Sequence, residues 1–401
     1  MTTVQTALGP VEAAALGRVL MHEHVFVLTA DVQQNYPEEW GDEDQRVADA
    51  VRKLSELPKH GIGTIVDVTV VGQGRDIGRI KRIAEQVPEL NIVVATGIYT
   101  FDEVPLFFSR RPKETMTEFF IRDITEGIAD TGVRAGMLKC AVDEKGLTDG
   151  VERVLRAVAR AHAATGVPIT IHTHSAGQHG RRIVDVLKSE GVDLGRVVLG
   201  HSGDAVDHPD YLEAMAQTGL ILGMDRFGID HFATFQQRSD LVAELCRRGY
   251  ADRMVLSHDC SCYLDWFAQG ALAALKDWHY LHVSQDVIPY LRDHGVAEGQ
   301  LDAMLTRTPA AILAGLAQRV DLGQPCVAGE AEPAGDPDRG QERGVVAGDK
   351  QRTLIAGEGL AELARRRQVE TVGRLVKQQE LRRRLGQQQR REDGAEALAA
   401  R

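Results

Sequence analysis

The stretch Val19-Leu20-Met21-His22-Glu23-His24 decides how the rest of the chain is read. Three apolar residues run into a His-x-His pair, so a buried strand ends in two side chains that point the same way. An open doubly wound sheet would normally place a glycine-rich phosphate loop after its first strand, and none stands here. Seven more apolar runs, rich in Val, Ile and Thr, follow at 64–70, 92–99, 135–140, 168–172, 196–201, 220–225 and 254–259. Each is short and nearly continuous in hydrophobicity, as strands covered on both faces are.

Helical periodicity fills the gaps. Residues 43–60 carry Val47, Val51, Leu54 and Leu57 on one face; 149–165 do the same through Val151, Val154, Leu155, Val158 and Ala159, and Gly166-Val167-Pro168 stops them. Further helices are predicted at 76–86, 117–129, 181–190, 211–218, 239–248 and 298–316. Eight strands alternating with helices call for a closed parallel sheet, a (β/α)8 TIM barrel over residues 1–320.

Residues 321–401 differ in kind. The segment 323–350 is rich in Gly, Pro, Asp and Glu, the composition of a disordered linker. The segment 360–385 has Leu and Val at loose helical spacing among Arg, Gln and Glu, which reads as a solvated, partly helical tail with a coiled-coil contact as the alternative.

A formal charge of −11 argues against nucleic acid or an anionic membrane surface as partner, since both reward clustered Lys and Arg. No apolar run approaches the roughly 18 residues that cross a bilayer. Met1-Thr2-Thr3-Val4-Gln5 lacks a secretory start, so the cytoplasm is the expected location. The five cysteines, Cys140, Cys246, Cys260, Cys262 and Cys326, are odd in number and scattered, which suits reduced thiols rather than a disulfide framework.

Residues at the C-terminal ends of barrel strands are read as chemistry. The first strand ends in His22 and His24, the fifth in His172, the sixth in His201 and the eighth in Asp259. Singly, each is equally well a core histidine bonded to backbone or a loop-capping aspartate. Their convergence on one face of one barrel is the argument for a metal site. His174 shares the face of His172 and is its natural competitor. His179, His208, His231, His279, His282 and His294 fall in loops or helices and read as surface residues; His258 alternates away from Asp259, toward the helical layer.

The fourth strand holds Lys139 inside Gly136-Met137-Leu138-Lys139-Cys140-Ala141-Val142. A lysine in a dry interior loses its proton or finds a partner. Neutral lysine can take up carbon dioxide as a carbamate, whose two oxygens could bridge two metals; the alternative is a lysine snorkelling out of the barrel. The reading is that His22, His24 and Asp259 bind one divalent metal and His172 with His201 a second, with Lys139 between. Nitrogen and oxygen ligands suit zinc, cobalt, manganese or iron and do not choose among them; zinc is the first expectation. Two such ions lower the pKa of a shared water, and Asp259 could carry its proton to a leaving group.

These residues resemble the phosphotriesterase family of the amidohydrolase superfamily, and its lactonase-like branch in particular. The resemblance runs from about Val4 to Leu316. It rests on Leu20-Met21-His22-Glu23-His24-Val25, Gly97-Ile98-Tyr99, Leu138-Lys139-Cys140, Gly200-His201-Ser202-Gly203-Asp204, Gly223-Met224-Asp225-Arg226-Phe227-Gly228 and Leu256-Ser257-His258-Asp259. It implies the metal roles above, with Lys139 as the carboxylated lysine. It also implies that Tyr99 lies by the metals and lactone ring, that Arg226 is the arginine of the lactonase-like branch, and that Trp266 lines an acyl-chain pocket. Packing is the plainer reading of Trp266, and holding a loop the plainer one of Tyr99.

The implied activity is opening of acyl-homoserine-type lactones, with phosphotriesters as side substrates; a dedicated phosphotriesterase or a carboxylesterase is the alternative. A homodimer is a family expectation. Cys260-Ser261-Cys262-Tyr263-Leu264-Asp265-Trp266 matches only in part, the loops at 109–117 and 266–278 are short, and residues beyond Asp321 are unusual for the family. These departures touch substrate choice more than the metal centre.

Overall fold

The computed structural model describes residues 2–314, so the readings made for 321–401 lie outside the described residues. Eight parallel strands follow one another in space in chain order: β1 Arg18–Glu23, β2 Ile62–Asp67, β3 Asn91–Gly97, β4 Met137–Val142, β5 Ile169–Thr173, β6 Val197–Leu199, β7 Ile221–Met224 and β8 Met254–Leu256. Between the two ends of this sheet, His22 N donates to Ser257 Oγ at 2.9 Å, Asp259 N to His22 O at 3.1 Å and His24 N to Cys260 O at 2.8 Å. These bonds stitch β1 to β8 just where the candidate ligands sit.

The strands are buried on both faces, as continuous hydrophobicity requires: all six residues of β4 are buried, Lys139 included. Helices α1 Glu43–Leu54, α2 Ile77–Ala84, α3 Glu114–Thr125, α4 Asp149–Thr165, α5 Gly180–Ser189, α6 Pro209–Gln217 and α7 Phe235–Arg247 accompany them. Local chemistry sets several ends. The Thr148 side chain caps α4 by accepting from Val151 N, and left-handed Gly166 (φ 73°) closes it.

Three differences from the sequence reading have physical causes. The helix predicted over 43–60 breaks at Ser55 into α1 and a short turn Glu56–Lys59, because Pro58 has no N–H for the Leu54 carbonyl and its ring crowds that carbonyl. The last helix is divided into Glu298–Asp302, a π-helical turn Ala303–Arg307 and Thr308–Leu313, with Pro309 at the junction. An antiparallel hairpin of Thr3–Thr6 and Gly9–Glu12, unread in the sequence, lies ahead of β1.

Candidate metal centre

The structure brings His22, His24, Lys139, His172, His201 and Asp259 to the C-terminal ends of their strands. His22, His24 and Asp259 each offer a ligand atom within 4.8 Å of the others. His24 Nε2 stands 3.2 Å and His22 Nε2 3.4 Å from Asp259 Oδ1. Across the centre His201 Nε2 is 2.8 Å from His172 Nδ1, and Lys139 Nζ is 3.0 Å from His22 Nε2. Lys139 is 1% exposed, so it does not snorkel. His172, not His174, meets His201.

What the outer nitrogens do fixes what the inner ones offer. Both Asp225 oxygens are taken, Oδ2 by His22 Nδ1 at 3.0 Å and Oδ1 by His201 Nδ1 at 2.8 Å. Thr69 Oγ1 donates to Asp67 and so accepts from His24 Nδ1 at 2.8 Å. His172 Nε2 donates to Asp143. With the outer nitrogens so engaged, each imidazole turns its other nitrogen toward the centre. His172 Nδ1 and His201 Nε2 thus face each other across the centre, and His24 Nε2 faces a carboxylate oxygen of Asp259. Imidazole nitrogens and a carboxylate gathered this closely around one space are a donor set that fits a divalent metal. His22, His201 and Asp225 are also mutually close, but their contacts are hydrogen bonds and orient the ligands rather than enclose an ion.

Burial, above all, drives the titration of these groups. It lowers Lys139 to about 8, brings His172 down to about 4 against the pull of Asp143, and lowers His22 and His201. Burial would raise Asp259, but His201, His22, the His24 contact and Arg226 outweigh it and hold the group well below the usual carboxylate range. Burial and Asp259 raise Tyr99, which keeps its hydroxyl proton at neutral pH.

Two candidate ligand positions carry unusual backbone. His201 (φ 63°) and Asp259 (φ 53°) are left-handed without being glycine, a conformation that costs about 1–3 kcal/mol and persists only where surroundings impose it. For Asp259 the imposing group is Glu23, fully buried between the candidate ligands His22 and His24 at the end of β1. Its carboxylate accepts from His258 N (3.0 Å), His258 Nδ1 (2.7 Å) and Cys260 N (2.9 Å), clamping both neighbours of Asp259. His258 thus turns away from the centre, and its Nε2 accepts from Val283 N. His282, read as a surface residue, is instead 3% exposed, packed against Phe235 and bonded to Asp286.

The remaining candidates gather at the rim. Tyr99 places its hydroxyl 3.2 Å from His172 Nδ1 and its ring 5.6 Å from that of Trp266, which is 39% exposed. Phe101 packs on both Tyr99 and His172. Arg226 reaches Asp259 Oδ2 through Nε at 3.3 Å and Asp204 Oδ2 through Nη1 at 3.0 Å, with Phe232 over its guanidinium. The sequence reading assigned no role to Asp67, Asp143, Asp204, Asp225 or Glu23. A signal existed: Asp67, Asp143, Asp204 and Asp225 each lie at or just beyond a strand end, where partners of ligand histidines belong.

A parallel eight-stranded barrel with imidazoles, carboxylates and a buried lysine collected at the strand ends is the architecture of a barrel hydrolase. Comparison with known proteins narrows this: the phosphotriesterase family model matches residues 2–313, and the chain belongs to that family. It is similar to the phosphotriesterase homology protein of Mycobacterium tuberculosis, 53% identical over 320 residues that cover 78% of this chain and 98% of that protein. It is also similar to the aryldialkylphosphatase of Saccharolobus solfataricus, 35% identical over 75% of this chain and 95% of the relative. The solved structure of the phosphotriesterase from M. tuberculosis superposes with a TM-score of 0.76, at 53% identity over 78% of this chain and 98% of that one.

Proposed function

We propose that the protein opens lactones of the acyl-homoserine type at a two-metal centre and hydrolyses phosphotriesters as a secondary activity. His22, His24 and Asp259 would hold one divalent ion and His172 with His201 the other, zinc being the first choice. Ions bound there supply Lewis acidity and lower the pKa of a water. Lys139 would join them as a carbamate: its lowered pKa leaves a neutral fraction near pH 8, and the neutral amine would add carbon dioxide with loss of one proton.

The observation that carries the lactone reading is the pair of unlike donors beside the centre. Arg226 is a cation fixed by two carboxylates, and Tyr99 is a neutral hydroxyl backed by Trp266. A cyclic ester presents two oxygens in one plane, and these donors suit them: Tyr99 orients the ring while Arg226 stabilises charge as it develops. The Tyr99 and Trp266 rings offer an apolar wall to an acyl chain. Asp259, ionised at rest, accepts the proton of the attacking water and returns it to the alkoxide of the opened ring. A phosphotriester passes through the same centre because its tetrahedral phosphorus resembles the tetrahedral state of the attacked carbonyl.

Arg226→Ala separates the readings. Under the lactone reading it lowers kcat/KM for lactones by roughly tenfold or more and spares paraoxon. Loss of paraoxon turnover with lactones spared would favour a dedicated phosphotriesterase, the activity that the name of the S. solfataricus relative carries. The four cysteines among the described residues are buried and unpaired, which supports a cytoplasmic location.

A further inference from the structure

Arg238 lies on α7 and makes no contact with the candidate ligands, yet it is among the largest fully buried side chains. Helix stability does not account for it. Thr234 caps α7 and Arg238 falls at the end of the first turn, where the helix dipole disfavours a cation. Its bonds point elsewhere. Nε and Nη2 donate to Asp204 Oδ1 at 3.0 and 2.7 Å, Nη1 to Ala233 O at 2.6 Å and Nη2 to Ile229 O at 2.9 Å.

Asp204 divides its oxygens between two arginines: Oδ1 goes to Arg238 and Oδ2 to Arg226. Without Arg238, one carboxylate oxygen would be buried without a partner, and Arg226 would be held by a group free to rotate. The two carbonyls that Arg238 holds belong to the loop after β7, which also carries Phe232 on the face of Arg226. That loop bonds to itself as well, Ile229 N donating to Arg226 O. One buried guanidinium thus fixes Asp204 from below and the 226–234 loop from the side, and both hold Arg226.

We propose that Arg238 is a positioning residue that sets the pose of Arg226 and the shape of the 226–234 loop as one unit, and so sets substrate preference without touching substrate. The consequence for preference rests on the role given to Arg226 under the proposed function; the coupling itself does not.

The test is a double-mutant cycle on the metal-loaded enzyme, with Arg238→Lys, Arg226→Ala and the double variant, read with a lactone and with paraoxon. Hydrogen exchange over residues 226–234 is measured alongside. Arg238→Lys should lower lactone kcat/KM about tenfold in the native background and less than about twofold beside Arg226→Ala, because its effect passes through Arg226. Exchange at 229–233 should quicken by about tenfold as two carbonyl anchors weaken.

If Arg238→Lys fails to fold, Arg238→Gln takes its place in the same cycle, with the same two expectations, since one amide cannot hold Asp204 and both loop carbonyls at once. An additive cycle, or unchanged exchange at 229–233, overturns the proposal. If neither substrate is turned over by the native enzyme, the substrate reading fails, and the exchange measurement still decides the coupling.

Discussion

Four imidazoles in this barrel are oriented by what stands behind them. Asp225, Thr69 and Asp143 engage the outer nitrogens, so the inner ones converge on one space that also holds Asp259. Asp259→Asn keeps the volume but cannot accept a proton, and kcat should fall by about 10²–10⁴-fold with folding unchanged. A retained rate would assign the proton elsewhere. Glu23→Gln presents an N–H to donors and should lower stability by about 1–3 kcal/mol in urea unfolding, with weaker metal retention, since Asp259 then loses the clamp on its left-handed backbone. Metal-free protein carries a pH signature. His172 has a folded pKa of about 4 against 6.5 unfolded, so between those values the unfolded chain binds more protons. Stability is complete above pH 6.5 and is lost as the pH falls toward 4, by about 3 kcal/mol from this group. A flat urea midpoint over that window would contradict the assignment.

At the scale of elements, the strands were legible because a strand buried on both faces leaves a run of apolar residues, and each of the eight runs overlaps its strand. Helix interruptions at Ser55 and at 303–307 were less legible, since a proline acts on the turn before it while the apolar period continues through. That the candidate ligands would gather in one place was legible because all of them lie at strand ends. The residues behind them were not, because an aspartate at a strand end reads equally as a loop cap until its partner is known. Glu23 shows this most clearly: it stands in the decisive motif, yet its three partners lie about 235 residues away. Close approach of β3 to β4 depends on Gly97 (φ 147°), where a Cβ would lie 1.8 Å from the Lys139 carbonyl oxygen. Gly97→Ala should therefore push β3 away from Lys139 and lower thermal stability by about 3 kcal/mol or more; an unchanged melting curve would show that the strands can part without cost.

For the whole molecule, the family match ends at residue 313, near the last described residue. A chain shortened to end after residue 321 should keep the specific activity of the full chain; a folded truncation without activity would give residues 322–401 a part in the site. Among the described residues no helix is long and apolar enough to cross a membrane. The central claim is that this family member acts first on lactones. The most direct measurement is kcat/KM of the metal-reconstituted protein on lactones of graded acyl length, with paraoxon and a simple aryl ester beside them. The best lactone is expected to exceed paraoxon by about 10²-fold or more, with turnover rising with chain length along the Trp266 wall and lost with a chelator. Equal or higher turnover of paraoxon, or lactone opening that survives chelation, would contradict it.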